Sequence, residues 1–177
     1  MEPVENVKHR ARLLHKRATE ADPVALAALR QLPELRALGD AELSATLQRK
    51  HCLTALAKAL GFATWPHTKA VLSGEALATL ATKPDLGTLM HRDLGGAYWN
   101  IWSASYDEAS TIRAEHGGFL LPYRKQFLIV EDHYIEALGL DPRDPDWSAI
   151  GRNWPAPGDR DAWSRLTTRA VDARLDG

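Results

Sequence analysis

The sequence predicts an α+β fold in which helices dominate, with a helical cluster in front and a small two- or three-stranded sheet behind. Three observations predict it. Apolar residues recur at steps of three and four as far as residue 74, punctuated by Gly and Pro. Beyond that point two runs turn aromatic and β-prone, 98–103 (YWNIWS) and 119–130 (FLLPYRKQFLIV). The chain then closes with one more amphipathic stripe, Trp163, Leu166, Ala170 and Val171.

The elements follow in order. Val4, Val7, Ala11, Leu14 and Ala18 share one helical face, and Lys8, Arg10, Arg12, Lys16 and Arg17 flank it. Asp22-Pro23 joins an N-cap to a proline at the first helical position and opens a second helix through Leu32. Pro33 begins a short further turn, and Gly39-Asp40 stops one element and caps another. Leu53, Leu56, Ala57 and Leu60 at i, i+3, i+4, i+7 predict a longer helix with Gly61 as its stop. Thr64 caps the next helix, with Pro66 in its first turn and Ser73-Gly74 at its end.

Residues 75–82 allow one more helix before the break at Lys83-Pro84-Asp85, and Gly95-Gly96 is a second punctuation. A short helix over 107–116 stops at Gly117-Gly118. The run 119–130 reads as a single strand whose start Pro122 confines to an edge, and whose contiguous Phe127–Val130 suits burial on both faces. A helix over 131–138 ends at Gly139, residues 140–157 form a Pro- and Trp-rich loop, and Asp159 caps a last helix over 160–174. This gives a helical cluster over 1–74, a linker or packing helix over 75–96, and a small α+β unit over 97–177, or one continuous compact domain. No repeat of 20 to 50 residues is present.

Composition narrows the class. Hydrophobic residues make up 45% and charged residues 25% of the 177, a globular balance able to bury a core. A lone cysteine, Cys52, forms no internal disulfide and reads as a small buried apolar residue. With no apolar signal core at the N-terminus and no stretch of about 18 apolar residues, a cytoplasmic protein with no membrane partner is expected. The Ala- and Arg-rich style suggests a bacterial one. Residues 1–74 carry 11 Lys and Arg against 7 Asp and Glu, and residues 75–177 carry 11 against 16. That asymmetry suits an anionic partner on the front half, or docking of the halves on each other.

One stretch is recognisable. Residues 50–71 read KHCLTALAKALGFATWPHTKAV, with Lys50, His51, Ala57, Gly61, Phe62, Trp65 and Pro66 at fixed spacing. This resembles a short bacterial helical motif found ahead of ankyrin repeats and, in related form, beside glyoxalase-like domains. Cys52-Leu53-Thr54 departs from the usual polar or Ala-Gln pairs. Neither ankyrin periodicity nor a glyoxalase-type metal set follows downstream, so the resemblance implies a helical module and no activity. Physically, Gly61 gives a left-handed stop, Phe62 tucks back, and Trp65 staples the following helix.

The same corner reads as a helix-turn-helix. A second helix from Thr64 would offer His67, Thr68 and Lys69 to a groove, with Arg49, Lys50, Arg10 and Arg12 on phosphates. Pro66 at the start of that helix speaks against it, as does the frequency of such corners in proteins that never meet DNA. A protein or nucleic-acid partner for the basic front is therefore one expectation.

Signals of catalysis are sparse. The seven histidines show no HExxH, and no GxSxG, P-loop or GxGxxG occurs. Glu131, Asp132 and His133 are the densest potential metal group, but neighbouring side chains diverge, so no metal and no cofactor is expected. The second function expectation is a small enzyme or anionic-ligand-binding protein, with Tyr123, Arg124, Lys125, Glu131 and His133 around a pocket after Gly117-Gly118. Tyr123 and Lys125 would then share one side of the strand, and Tyr98, Trp99, Trp102, Trp147 and Trp154 could wall the pocket. An edge strand guarded by charge and proline explains the same residues. Trp147 and Trp154 equally suit pinning an irregular loop to the core. An interaction or regulatory module remains the first expectation and the ligand-binding protein the second.

Overall fold

A computed structural model describes residues 1–92 and 100–176. The chain is mostly helical, with one small antiparallel sheet. The front consists of α1 (Pro3–Thr19), α2 (Pro23–Leu29), α3 (Asp40–Thr46), α4 (Arg49–Ala59) and α5 (Trp65–Leu72). Their starts follow the expected chemistry. Asp22 accepts from the backbone N–H groups of Val24 and Ala25, both at 2.9 Å, and Thr64 accepts from that of His67. Pro33–Leu35 is a 3₁₀ turn, and residues 76–82 continue as a 3₁₀ helix kinked at Thr79.

The sheet holds β1 (Asn100–Ser103), β2 (Phe119–Tyr123) and β3 (Gln126–Val130) in the order β1-β3-β2. Of the run 98–103, residues 98 and 99 lie outside the described residues, as does Gly95-Gly96. The single strand expected over 119–130 is instead a hairpin: Tyr123 pairs with Gln126, and Arg124-Lys125 form the two-residue turn. The primed hairpin turns need a positive φ at their first residue, and Arg124 supplies it at +53° without being Gly or Asn. That absence of Gly hid the turn. The correction also removes the shared strand face for Tyr123 and Lys125.

Central β3 is buried from Phe127 to Val130, as its unbroken apolar run demands. Pro122 falls on edge strand β2, where its missing N–H breaks no ladder bond. Residues 152–154 lie along that edge, with Leu120 N–H donating to Arg152 O at 2.8 Å and Trp154 N–H to Leu120 O at 3.1 Å. Against one sheet face packs α6 (Tyr106–His116), its Tyr106 ring 5.6 Å from Phe127.

The remaining elements are α7 (Asp132–Ala137), α8 (Pro145–Ala149) and α9 (Arg160–Asp176). Sequence patterning treated 140–157 as loop throughout, because α8 is a single short turn inside a Pro-rich stretch. Trp147 and Trp154 are fully buried in the core, where they pin this segment. Cys52 is buried as well, and burial pushes its thiol up to about 11.

Among the described residues two apolar clusters form. One lies among α1 to α4, around Leu26, Leu29, Leu32, Leu43 and Cys52. The larger joins α5, the sheet and α7 to α9. Helix α1 serves both, Ala11 and Ala18 in the first and Val7 in the second, and α9 returns to lie against it. Arg10 ties the two helices by donating to Asp172 and Asp176, each at 2.7 Å. Among the described residues no helix is long and apolar enough to cross a membrane.

Asp146 anchors the back of the fold. It is 6% exposed and accepts from Arg165 through Nε and Nη2, and from Arg169 at 2.8 Å. The hydrogen bond from Arg165 above all, then that from Arg169, holds its carboxyl at about 2 against the opposing effect of burial. A carboxyl depressed in the folded state stabilises fully above its ordinary value of 3.8, and that contribution disappears as pH falls toward 2. Asp146→Asn should therefore lower the melting temperature by about 4 °C at pH 7. It should also flatten the loss of stability between pH 4 and pH 2; parallel melting curves across that window would contradict the assignment.

Candidate functional site

The corner after α4 is a Schellman turn. Phe62 N–H donates to Ala57 O at 2.9 Å and Gly61 N–H to Lys58 O at 3.0 Å, with Gly61 at φ +85°. At the other end of α4, His51 Nδ1 accepts from the Gln48 backbone N–H at 3.1 Å, which accounts for a histidine at the helix start.

Loop 83–92 docks on this corner. Thr88 donates to Gly61 O through its backbone N–H at 3.1 Å and through Oγ1 at 3.3 Å. A β-carbon on Gly61 would lie 2.0 Å from Thr88 Oγ1, and one on Gly87 would lie 2.3 Å from the Phe62 ring. Each glycine thus receives the other segment's side chain. The β2–β3 turn docks next: Arg124 N–H donates to Gly87 O at 2.7 Å, and Leu86 N–H donates to Arg124 O at 2.9 Å. Three segments far apart in sequence meet at one point.

Where they meet is a cavity of about 370 Å³ lined by Gly61, Phe62, His67, Asp85, Thr88 and Arg124. His67 places both nitrogens on backbone: Nδ1 accepts from Ala63 N–H at 3.3 Å and Nε2 donates to Asp85 O at 2.8 Å. Its ring meets Phe62 edge-on. The Asp85 carboxylate accepts from Gly87 N–H at 2.8 Å and stands 3.8 Å from His67 Nε2. The Arg124 guanidinium carbon is 5.7 Å from the Tyr123 ring centroid, and among the described residues Arg124 has no carboxylate partner.

Tyr123 leads into an aromatic group. The His91 ring centroid is 4.5 Å from that of Tyr123 and 5.8 Å from that of Trp102, and Trp102 is 5.3 Å from Tyr123. His91 Nδ1 lies 2.7 Å from the Tyr134 hydroxyl, whose pKa burial raises to about 12. Trp102 is 42% exposed and donates through Nε1 to Asn100 Oδ1.

The sequence-derived site residues divide between places. Of the pocket set, Arg124 lines the cavity and Tyr123 adjoins it through the guanidinium contact, while Lys125 is exposed at the turn. Glu131 and His133 lie beyond the opposite end of β3, both exposed, and His133 contacts Glu136 at 3.2 Å. Of the basic set, Arg10 is engaged by α9 and His67 by the corner; Arg12, Arg49, Lys50 and Lys69 are exposed. Asp85 and Thr88 escaped the sequence reading. An Asp two residues before a Gly is an Asx-turn signal that would have marked the loop, though not its partner. Among the described residues no three metal-ligating side chains gather.

No known family, no curated protein and no solved structure matches the chain.

Gly61→Ala should cost at least about 2 kcal/mol, from the left-handed backbone and the clash with Thr88. Urea unfolding checks this, and a variant within error of the parent would show that the loop does not press on the corner.

Proposed function

We propose that the protein is a non-enzymatic interaction module of the bacterial cytoplasm that recognises an anionic group at the corner cavity, with Arg124 making the contact. One observation carries this reading. The backbone of Arg124 is fixed by two hydrogen bonds in a left-handed conformation, yet its guanidinium has no carboxylate partner among the described residues. A non-glycine residue at positive φ costs about 1 kcal/mol or more, and such strain concentrates where function retains it. The guanidinium fork matches carboxylate or phosphate oxygens. Binding is favoured over catalysis because His67, the imidazole at the cavity, has both nitrogens held by backbone. The resemblance of residues 50–71 to a helical module supports the same reading.

Inorganic phosphate is the simplest probe. Calorimetric titration should give weak binding to the parent and a loss of about tenfold or more in Arg124→Gln, since a hydrogen bond to a charged group contributes about 1.5 to 3 kcal/mol. Equal affinity in the two proteins would overturn the assignment.

A second reading, nucleic-acid or protein binding by the basic front, rests on one cluster. The hydrogen bond from Lys8, at 2.6 Å, holds the Glu5 carboxyl below its usual range, and the charges of Lys8, Arg12 and Arg49 add to it. Cations from α1 and α4 therefore share one patch, with Lys50 beside it in sequence. If this patch holds phosphates, labelled DNA or RNA should be retarded at low salt and released at moderate salt, and Arg12→Gln with Arg49→Gln should weaken the retardation. Free migration at low salt removes this reading.

A further inference from the structure

Arg92, in the segment after Thr88, and Arg174, in the last turn of α9, clasp each other's neighbourhoods. Arg92 Nη2 donates to Ala173 O at 3.1 Å, next to Arg174 in the chain. Arg174 Nη1 donates to His91 O at 3.3 Å, next to Arg92, and its Nε donates to Ala59 O at 3.2 Å. The exchange is reciprocal and brings two part-buried arginines to one seam between this segment and α9. Burial first, then the charge of Arg92, lowers the pKa of Arg174.

Among the described residues neither arginine has a carboxylate partner, and the acids nearest in sequence to Arg174, Asp172 and Asp176, are both engaged by Arg10. The carbonyls of Ala59 and Ala173 lie at the C-terminal ends of α4 and α9, where the helix dipole favours a cation. That accounts for one arginine at each helix end and leaves their adjacency unexplained. Each guanidinium carries five N–H donors. The three bonds above leave most of them unused, and none of these nitrogens is buried without a partner. Unused donors on both forks are thus open to solvent.

We propose that Arg92 and Arg174 form an oxyanion site for a phosphate dianion, either free or carried on a monoester. A dianion neutralises both cations and offers three or more oxygens to two planar forks, whereas a carboxylate brings one charge and two oxygens. The site is separate from Arg124 and does not depend on the corner cavity binding anything.

The test uses the full chain carrying Arg124→Gln, so that the corner contact is absent. Arginine Nε–H signals are followed by nitrogen-15 NMR, and those of Arg92 and Arg174 are identified by their loss in R92K and R174K. Inorganic phosphate and methyl phosphate should shift both signals at concentrations on the order of 1 mM, and acetate should need about tenfold more. R92K keeps a charge and a helix-end donor but loses the fork, so it should fold and bind phosphate about tenfold more weakly. Response to phosphate but not methyl phosphate assigns the site to the free ion, and response to both admits the monoester. Signals that stay put in all three anions, acetate acting as strongly as phosphate, or undiminished binding by R92K would each overturn the proposal.

Discussion

The absent β-carbon of Gly61 is the constraint on which the arrangement depends. The Schellman turn places Gly61 at the end of α4 with its carbonyl outward, and Thr88 occupies the space that a side chain would fill. Phe62, the next residue, returns the contact by pressing its ring on Gly87. Two glycines and two side chains interlock, so neither segment can shift without the other. The hairpin turn is then fixed by pairing with the same loop at Leu86 and Gly87. A local rule of helix termination thus becomes a long-range contact between the front helices and the sheet.

This explains which parts of the fold were legible. The starts of α2, α5 and α9 and the stops of α4 and α5 are local events written in residues such as Asp22, Thr64, Gly61 and Asp159, and they fall where patterning puts them, whereas α2 stops at Leu29, short of the expected Leu32. The buried stripe Trp163, Leu166, Ala170 and Val171 was likewise readable from spacing. The hairpin was not, because its turn is Arg-Lys and tertiary bonds to the loop at 86–87 supply what Asn-Gly would supply locally. The candidate site was half legible for the same reason. Arg124 was found from charge on an apolar run, and His67 from the helix corner. Nothing in either stretch says that they line one cavity, since the connection runs through Asp85 and Thr88 on a third segment.

The charge asymmetry between the halves has a counterpart in three dimensions. Arg10, from the basic half, binds Asp172 and Asp176, from the acidic half, and α1 lies along α9. The attraction contributes modestly at such exposed positions, yet it sets the register of the first helix against the last. Asn6 adds a neutral bond to Asp172 at 2.8 Å, so the seam is fixed by direction as well as by charge.

Several arginines are compensated by carboxylates. Arg165 and Arg169 share Asp146, Arg10 takes Asp172 and Asp176, and Arg17 takes Asp22. In each case a carboxylate sits within hydrogen-bond reach, and the pair holds one element against another. Arg124, Arg92 and Arg174 differ. Their protein contacts go to backbone or an aromatic ring: Arg124 to Leu86, Gly87 and Tyr123, Arg174 to Ala59 and His91, and Arg92 to Ala173 in α9. A cation bound only to carbonyls and rings keeps its full charge available, because neither partner neutralises it. Two backbone hydrogen bonds fix Arg124 against the loop at 86–87. Rigid placement reduces the ordering cost that a flexible surface arginine would incur on meeting an anion.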